Sequence, residues 1–78
     1  IYGSRLHSDI ANCLVNLGNT YYFLDEYERA IDYHQQALEM FKQIHGDRSH
    51  PDVADNLNNL GIAYDSLGKY KSAIDYYQ

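Results

Sequence analysis

The sequence is short of basic residues, of cysteine and proline, and of long apolar runs, and each shortage excludes something. Six Lys and Arg stand against eleven Asp and Glu, a formal net charge of −5. Nucleic acid and anionic membrane are therefore not expected as main partners, because no basic patch is present to meet them. The longest apolar run is the four residues 21–24, far below the ~20 that a membrane-spanning helix needs, and nothing has the pattern of a signal peptide. The single cysteine, Cys13, cannot form an internal disulfide and suits a reducing compartment, so a cytoplasmic location is expected. No cysteine cluster, HExxH spacing, paired-carboxylate, Ser/His/Asp or glycine-rich phosphate pattern occurs. Neither an enzyme nor a bound cofactor or metal is expected. Seventy-eight residues allow one small domain, whose core is marginal without help.

What the chain does have is repetition. Residues 14–38 start again at residue 57, and between residues 7–35 and 50–78, 15 of 29 aligned positions are identical at a constant offset of 43. Shared helix-forming composition does not produce a match that dense, so the chain reads as a tandem array. Ile10, Leu14, Leu17, Tyr21 and Leu24 recur at steps of four and three, one apolar stripe on a helix. Val53, Leu57, Leu60, Tyr64 and Leu67 draw the same stripe in the second copy. A second helix follows, with Ala30, Ile31, His34, Ala37, Leu38, Phe41 and Ile44 on one face. Gly18 and Gly61 lie inside the first stripe, where glycine costs about 1 kcal/mol against alanine. Close approach of a partner helix is the expected reason, with Ala30 and Ala73 as the small residues opposite.

These residues resemble the tetratricopeptide repeat family, whose Leu-Gly, Tyr, turn Gly, Tyr, Ala and Ala-Leu pattern is met in order. Leu17-Gly18, Tyr21, Tyr27, Ala30, Ala37 and Leu38 carry it in the first copy, and Leu60-Gly61, Tyr64, Gly68, Tyr70, Ala73 and Tyr77 in the second. Departures are Leu14 and Leu57 where many members have Trp, Asp25 for the turn Gly, His34 for an aromatic, and Lys42 for the closing Pro. The common unit is about 34 residues, so a period of 43 implies a longer second helix and linker. That length, with the segment at 50–61, is similar to the kinesin light chain and nephrocystin subtype. Segments 16–24 and 30–34 are also similar to Pins-type scaffolds. The resemblance implies an all-α solenoid of antiparallel helix-turn-helix repeats, here a fragment of a longer array.

The expected domains are residues 1–6 as the tail of a preceding repeat, 7–49 as a full repeat, and 50–78 as a second repeat truncated in its second helix. Residues 1–6, moved by 43, align with 44–49 and keep Ile, Gly and Arg. The expected helices run from residue 8 or 9 to 24, 27–45, 51–67 and 70–78. Gly46 is a natural left-handed cap, and Pro51 sits at a first helical position, where the missing N–H is harmless.

Four histidines and nine tyrosines call for an account. His7, His45 and His50 lie at linker edges without metal-ligand spacing, so capping or linker roles are expected, and His34 falls on the packed stripe. Most tyrosines recur between copies and read as inter-helix packing. Tyr22 and Phe23 do not recur, since Asp65 and Ser66 replace them, which hints at ligand contact. Cys13 adjoins the apolar stripe with no basic residue beside it and reads as a small buried hydrophobe.

One face remains. Asn12, Asn16 and Asn19 step by four and three on a face turned away from the Leu/Tyr stripe, and Phe23 continues it. Asp55, Asn59 and Ile62, flanked by Asn58, answer in the second copy. Asparagine is a poor helix former, so several on one face need a reason, and an amide can donate to and accept from one peptide backbone at once. First helices of a helical-hairpin array line its concave surface, about 8–10 Å apart, a gap that an extended peptide spans in about three residues. The family resemblance implies a protein-binding module that grips an extended peptide or partner segment here, within a larger scaffold. The acidic balance favours a partner with basic residues. The alternative is a structural spacer or self-associating array, and exposed apolar ends favour end-to-end association of the fragment.

Overall fold

A computed structural model describes residues 2–46 and 50–77, the side chains of residues 2–6 and Tyr70 excepted. Four helices follow one another: α1 (Tyr2–Phe23), α2 (Tyr27–His45), α3 (Pro51–Ser66) and α4 (Tyr70–Tyr77). Each packs on its neighbours in sequence, α1 on α2, α2 on α3 and α3 on α4. The chain is therefore all-α, in helix-turn-helix pairs. The expected linker residues 47–49 and the last residue, Gln78, lie outside the described residues.

The two hairpin turns are built alike because the sequence repeats. Glu26 N–H donates to Tyr21 O at 2.9 Å, and Lys69 N–H donates to Tyr64 O, also at 2.9 Å, 43 residues later. Each turn needs one left-handed residue. Gly68 takes φ +86 without strain, and Asp25 takes φ +62 at the same place in the first copy. Gly46 ends α2 as expected, at φ +91, donating its N–H to Lys42 O at 2.8 Å.

Helix α2 is the centre of the molecule. Its buried residues are Ala30, Ile31, His34, Ala37, Leu38 and Phe41, the face the periodicity marks out. Of these, Ile31, Ala37, Leu38 and Phe41 form one core with Ala11 of α1 and with Val53, Leu60 and Ala63 of α3. Burying a side chain such as Leu60, which is fully covered, stabilises by about 1.5–3 kcal/mol. Tyrosines pack between the helices of each hairpin: Tyr21 stacks on Tyr33 at 5.4 Å and Tyr64 on Tyr76 at 5.2 Å, equivalent pairs. Gln35 of α2 donates from Nε2 to the hydroxyls of both Tyr64 and Tyr76 at 3.2 Å, tying the first hairpin to the second.

Four details differ from the sequence expectation. Helix α1 begins at Tyr2 rather than at residue 8 or 9, so residues 2–6 continue it. The position that breaks the second copy is Pro51, which holds His50 extended at ψ 134, and its counterpart Ser8 imposes no break. The atoms nearest a Cβ on Gly18 or Gly61 belong to the rings of His34 and Tyr77, not to Ala30 or Ala73. The apolar stripe of α1 is only partly covered: Ile10 and Leu17 are exposed, whereas their counterparts Val53 and Leu60 are fully buried. Among the described residues α3 packs on both α2 and α4, whereas α1 packs on α2 and meets α3 chiefly at the Tyr22–Ser66 hydrogen bond. For the same reason Cys13 is exposed rather than buried, while its counterpart Asn56 is covered.

Candidate functional site

Helices α1 and α3 lie close enough for the Tyr22 hydroxyl and Ser66 Oγ to share a hydrogen bond of 2.9 Å. Between them runs a groove of about 240 Å³ lined by Asn19, Tyr22 and Phe23 of α1, His34 of α2, and Asn59, Ile62 and Ala63 of α3. It brings together four of the residues singled out in the sequence: Asn19, Phe23, Asn59 and Ile62. Asn12, Asn16, Asp55 and Asn58 are exposed and do not line it. Asn16 instead accepts the Thr20 hydroxyl at its backbone oxygen, 2.9 Å away. Tyr22, His34 and Ala63 complete the lining and were not among those candidates. Only Tyr22 carried a signal, its failure to recur.

The chemistry of the groove is apolar with a few amides. Phe23 is 88% exposed, an unusual cost for so large a ring. Tyr22 steadies it from beside, edge-on at 6.2 Å, and is itself held edge-on by Tyr27 at 5.3 Å. His34 is almost fully covered. Burial holds its imidazole below the ordinary 6.5, so it is neutral at pH 7, while Asn56, acting as acceptor, pulls weakly the other way. The contact is poor: His34 Nδ1 and Asn56 Oδ1 are both buried and neither has a partner within hydrogen-bond geometry. No residue lining the groove is charged.

Two larger grooves, each about 410 Å³, run along α2, one against the end of α3 and the turn after it, the other between α2, α3 and α4. Their rims hold charges of both signs, including Glu28, Arg29, Asp32 and Lys69 in one and Glu39, Lys42 and Asp75 in the other. Two of these cations are already engaged, Arg29 with Glu26 at 3.3 Å and Lys42 with Glu39 at 3.9 Å. Solvated pairs of this kind gain little from a partner, whereas a ring such as Phe23 gains about 1.5–3 kcal/mol when covered. The smaller groove is the better site.

The structure also gathers three residues that the spacing left apart. The rings of His45 and His50 stack at 3.4 Å, and His45 Nε2 lies 3.0 Å from Asp52 Oδ2. His50 caps α3, its Nδ1 accepting the Asp52 N–H at 3.1 Å. His7 is exposed.

Compared with known families, the chain matches the tetratricopeptide repeat over residues 9–78. It belongs to the tetratricopeptide repeat family, whose repeats are typically non-catalytic and engage protein partners. No curated protein and no solved structure matches it significantly.

Proposed function

We propose that this chain binds an extended segment of a partner protein across the face of α1 and α3, without catalysis. The observation that carries the reading is the single groove uniting Asn19 and Phe23 with Asn59 and Ile62 from two consecutive repeats. An apolar side chain of the partner sits against Phe23, Tyr22 and Ile62. Asn19 and Asn59 hydrogen-bond its backbone, and Asn12, Asn16, Asp55 and Asn58 flank its path. The net charge of −5 favours a segment carrying Lys or Arg beside its apolar anchor. The 43-residue period supports the long-repeat, kinesin light chain and nephrocystin-like subtype within a scaffold. A lone, exposed thiol supports a reducing, cytoplasmic setting.

The test is selection of peptides from a displayed random library on the chain, followed by titration calorimetry of the best binder. Asn19→Ala and Asn59→Ala each remove up to two hydrogen bonds, a loss of about 1–3 kcal/mol of binding. Glu28→Ala and Glu39→Ala, on the α2 side, leave affinity unchanged. The reverse pattern would move the site to the other face.

A second reading has its own support. Ile10 and Leu17 of α1 are exposed where their counterparts Val53 and Leu60 of α3 pack, and Ile74 and Tyr77 of α4 are exposed where Ile31 and His34 of α2 are covered. The end of one copy therefore offers the start of another the same kind of surface that α2 offers α3, which supports end-to-end association. Sedimentation that stays strictly monomeric at millimolar protein would remove this reading.

A further inference from the structure

We propose that His45, His50 and Asp52 form a binding site for a divalent transition ion of the zinc class at the junction of α2 and α3. One donor atom from each of the three residues lies within 4.8 Å of the other two. His45 Nε2 stands 3.0 Å and His50 Nδ1 3.8 Å from the same carboxylate oxygen, Asp52 Oδ2. A four-coordinate ion with bonds of about 2.0–2.1 Å separates its ligand atoms by roughly 3.3 Å, between the two observed spacings. Both nitrogens therefore stand near ligand spacing from the shared carboxylate oxygen, and the rings must turn to complete the set.

The donor set narrows the ion. Two imidazole nitrogens and one carboxylate suit zinc, nickel or copper, whereas calcium and magnesium take oxygen ligands. Three protein ligands leave a fourth position to water. The side chains of His50 and Asp52 are 39% and 43% exposed, so an ion reaches them from solvent, while His45, at 19%, is braced by Phe41 stacked at 5.9 Å. To bind the ion, His45 offers the lone pair of Nε2, and the neutral ring then carries its one proton on Nδ1.

Two features weaken the affinity. Imidazole lone pairs lie in the ring plane, so rings stacked within 5° of parallel must splay to aim at one ion. His50 must also release the Asp52 N–H that it now caps. In return the ion joins the end of α2 to the start of α3, and an ion bound only by the folded chain raises its stability.

The experiment is titration calorimetry of the metal-free 78-residue chain with zinc chloride, with cobalt(II) absorption as the geometric readout. Expected are one ion per chain, an intense four-coordinate cobalt spectrum, and affinity lowered by about tenfold or more in His45→Ala and in Asp52→Asn. The control His7→Ala changes nothing. Imidazole ¹⁵N shifts on the unaltered chain guard against a variant that fails to fold: zinc moves the His45 and His50 resonances and leaves His7 and His34 in place. Absence of binding, an affinity indifferent to His45→Ala, or zinc-induced shifts at His7 alone would overturn the proposal.

Discussion

The glycines of the two first helices give a test in which one substitution at one repeat position has opposite effects. A Cβ on Gly18 would stand 2.7–2.8 Å from Cε1, Nε2 and Cδ2 of the His34 ring, and a Cβ on Gly61 2.5–2.8 Å from the Tyr77 ring. Carbon atoms in ordinary contact lie about 3.5–4.0 Å apart, so each ring must retreat by roughly 1 Å. Their freedom to do so differs. His34 is 2% exposed, beneath α3, while Tyr77 is 47% exposed on the last turn of α4. Gly61→Ala therefore swings Tyr77 outward at little cost and keeps most of the ~1 kcal/mol that alanine gains over glycine inside a helix. Gly18→Ala gains the same ~1 kcal/mol but drives a methyl into a ring that cannot leave, an overpacking cost of about 1–3 kcal/mol.

The net expectation is a chain stabilised by about 0.5–1 kcal/mol in Gly61→Ala and destabilised by up to ~2 kcal/mol in Gly18→Ala. For a domain of this size each 1 kcal/mol moves the melting temperature by about 4–8 °C, so the two variants part by several degrees. Urea denaturation followed by helical circular dichroism reads the midpoint and slope directly. A His34→Ala background supplies the control: with the ring removed, Gly18→Ala turns stabilising. Equal effects at the two glycines, or a Gly18→Ala penalty that survives removal of the ring, would refute the reasoning.

Three further outcomes are expected. Because burial depresses the His34 pKa from 6.5, the unfolded chain binds more protons there; the stability this histidine supports is complete above pH 6.5 and lost as pH falls through the folded value. Denaturation at stepped pH shows a slope between pH 7.5 and 5 that flattens in His34→Gln. Asp25→Gly relieves a left-handed residue at a cost of about 1 kcal/mol but loses the 2.9 Å hydrogen bond from the Tyr27 hydroxyl. The Tyr27 phenol, which that bond holds above its ordinary 10.0, then titrates lower by ultraviolet absorbance. Leu60→Ala, at a fully buried site, costs about 2–5 kcal/mol, and Leu17→Ala, its 41% exposed counterpart, costs well under half as much in dilute protein.

Most of the fold was legible because the sequence states it twice. The helix α2 face, both turns, the Gly46 cap and the Pro51 start follow from local chemistry. Burial of a stripe is not local: Leu17 and Leu60 are the same residue in the same motif, and only the helix beyond them decides which is covered. Gly18 signalled close approach, yet the approaching group is a ring of α2, which depends on how far around its axis α2 is turned. The site was legible in half. Asn19, Phe23, Asn59 and Ile62 share a groove because positions three and four apart share a helix face, but the contribution of His34 from beneath depends on tertiary packing. The meeting of His45, His50 and Asp52 depends on how the chain closes between α2 and α3, which residue spacing leaves open.

A position that packs the same way in every hairpin keeps its residue, whereas a site for a particular partner need not repeat. Of the seven residues lining the groove, only Asn59 has an identical counterpart, Asn16. The others pair with different residues: Asn19 with Ile62, Tyr22 with Asp65, Phe23 with Ser66, His34 with Tyr77 and Ala63 with Thr20. Phe23→Ser makes the first copy read like the second at the point of greatest exposure. With 88% of the ring already in water, the change alters stability by no more than ~0.5 kcal/mol. A partner whose apolar side chain covers that ring loses about 1.5–3 kcal/mol, roughly a ten- to hundredfold fall in affinity. Calorimetry with the selected peptide, beside a urea melt of the same variant, separates the two quantities. An affinity unmoved by the loss of Phe23 would show that the groove between α1 and α3 is not where the partner binds.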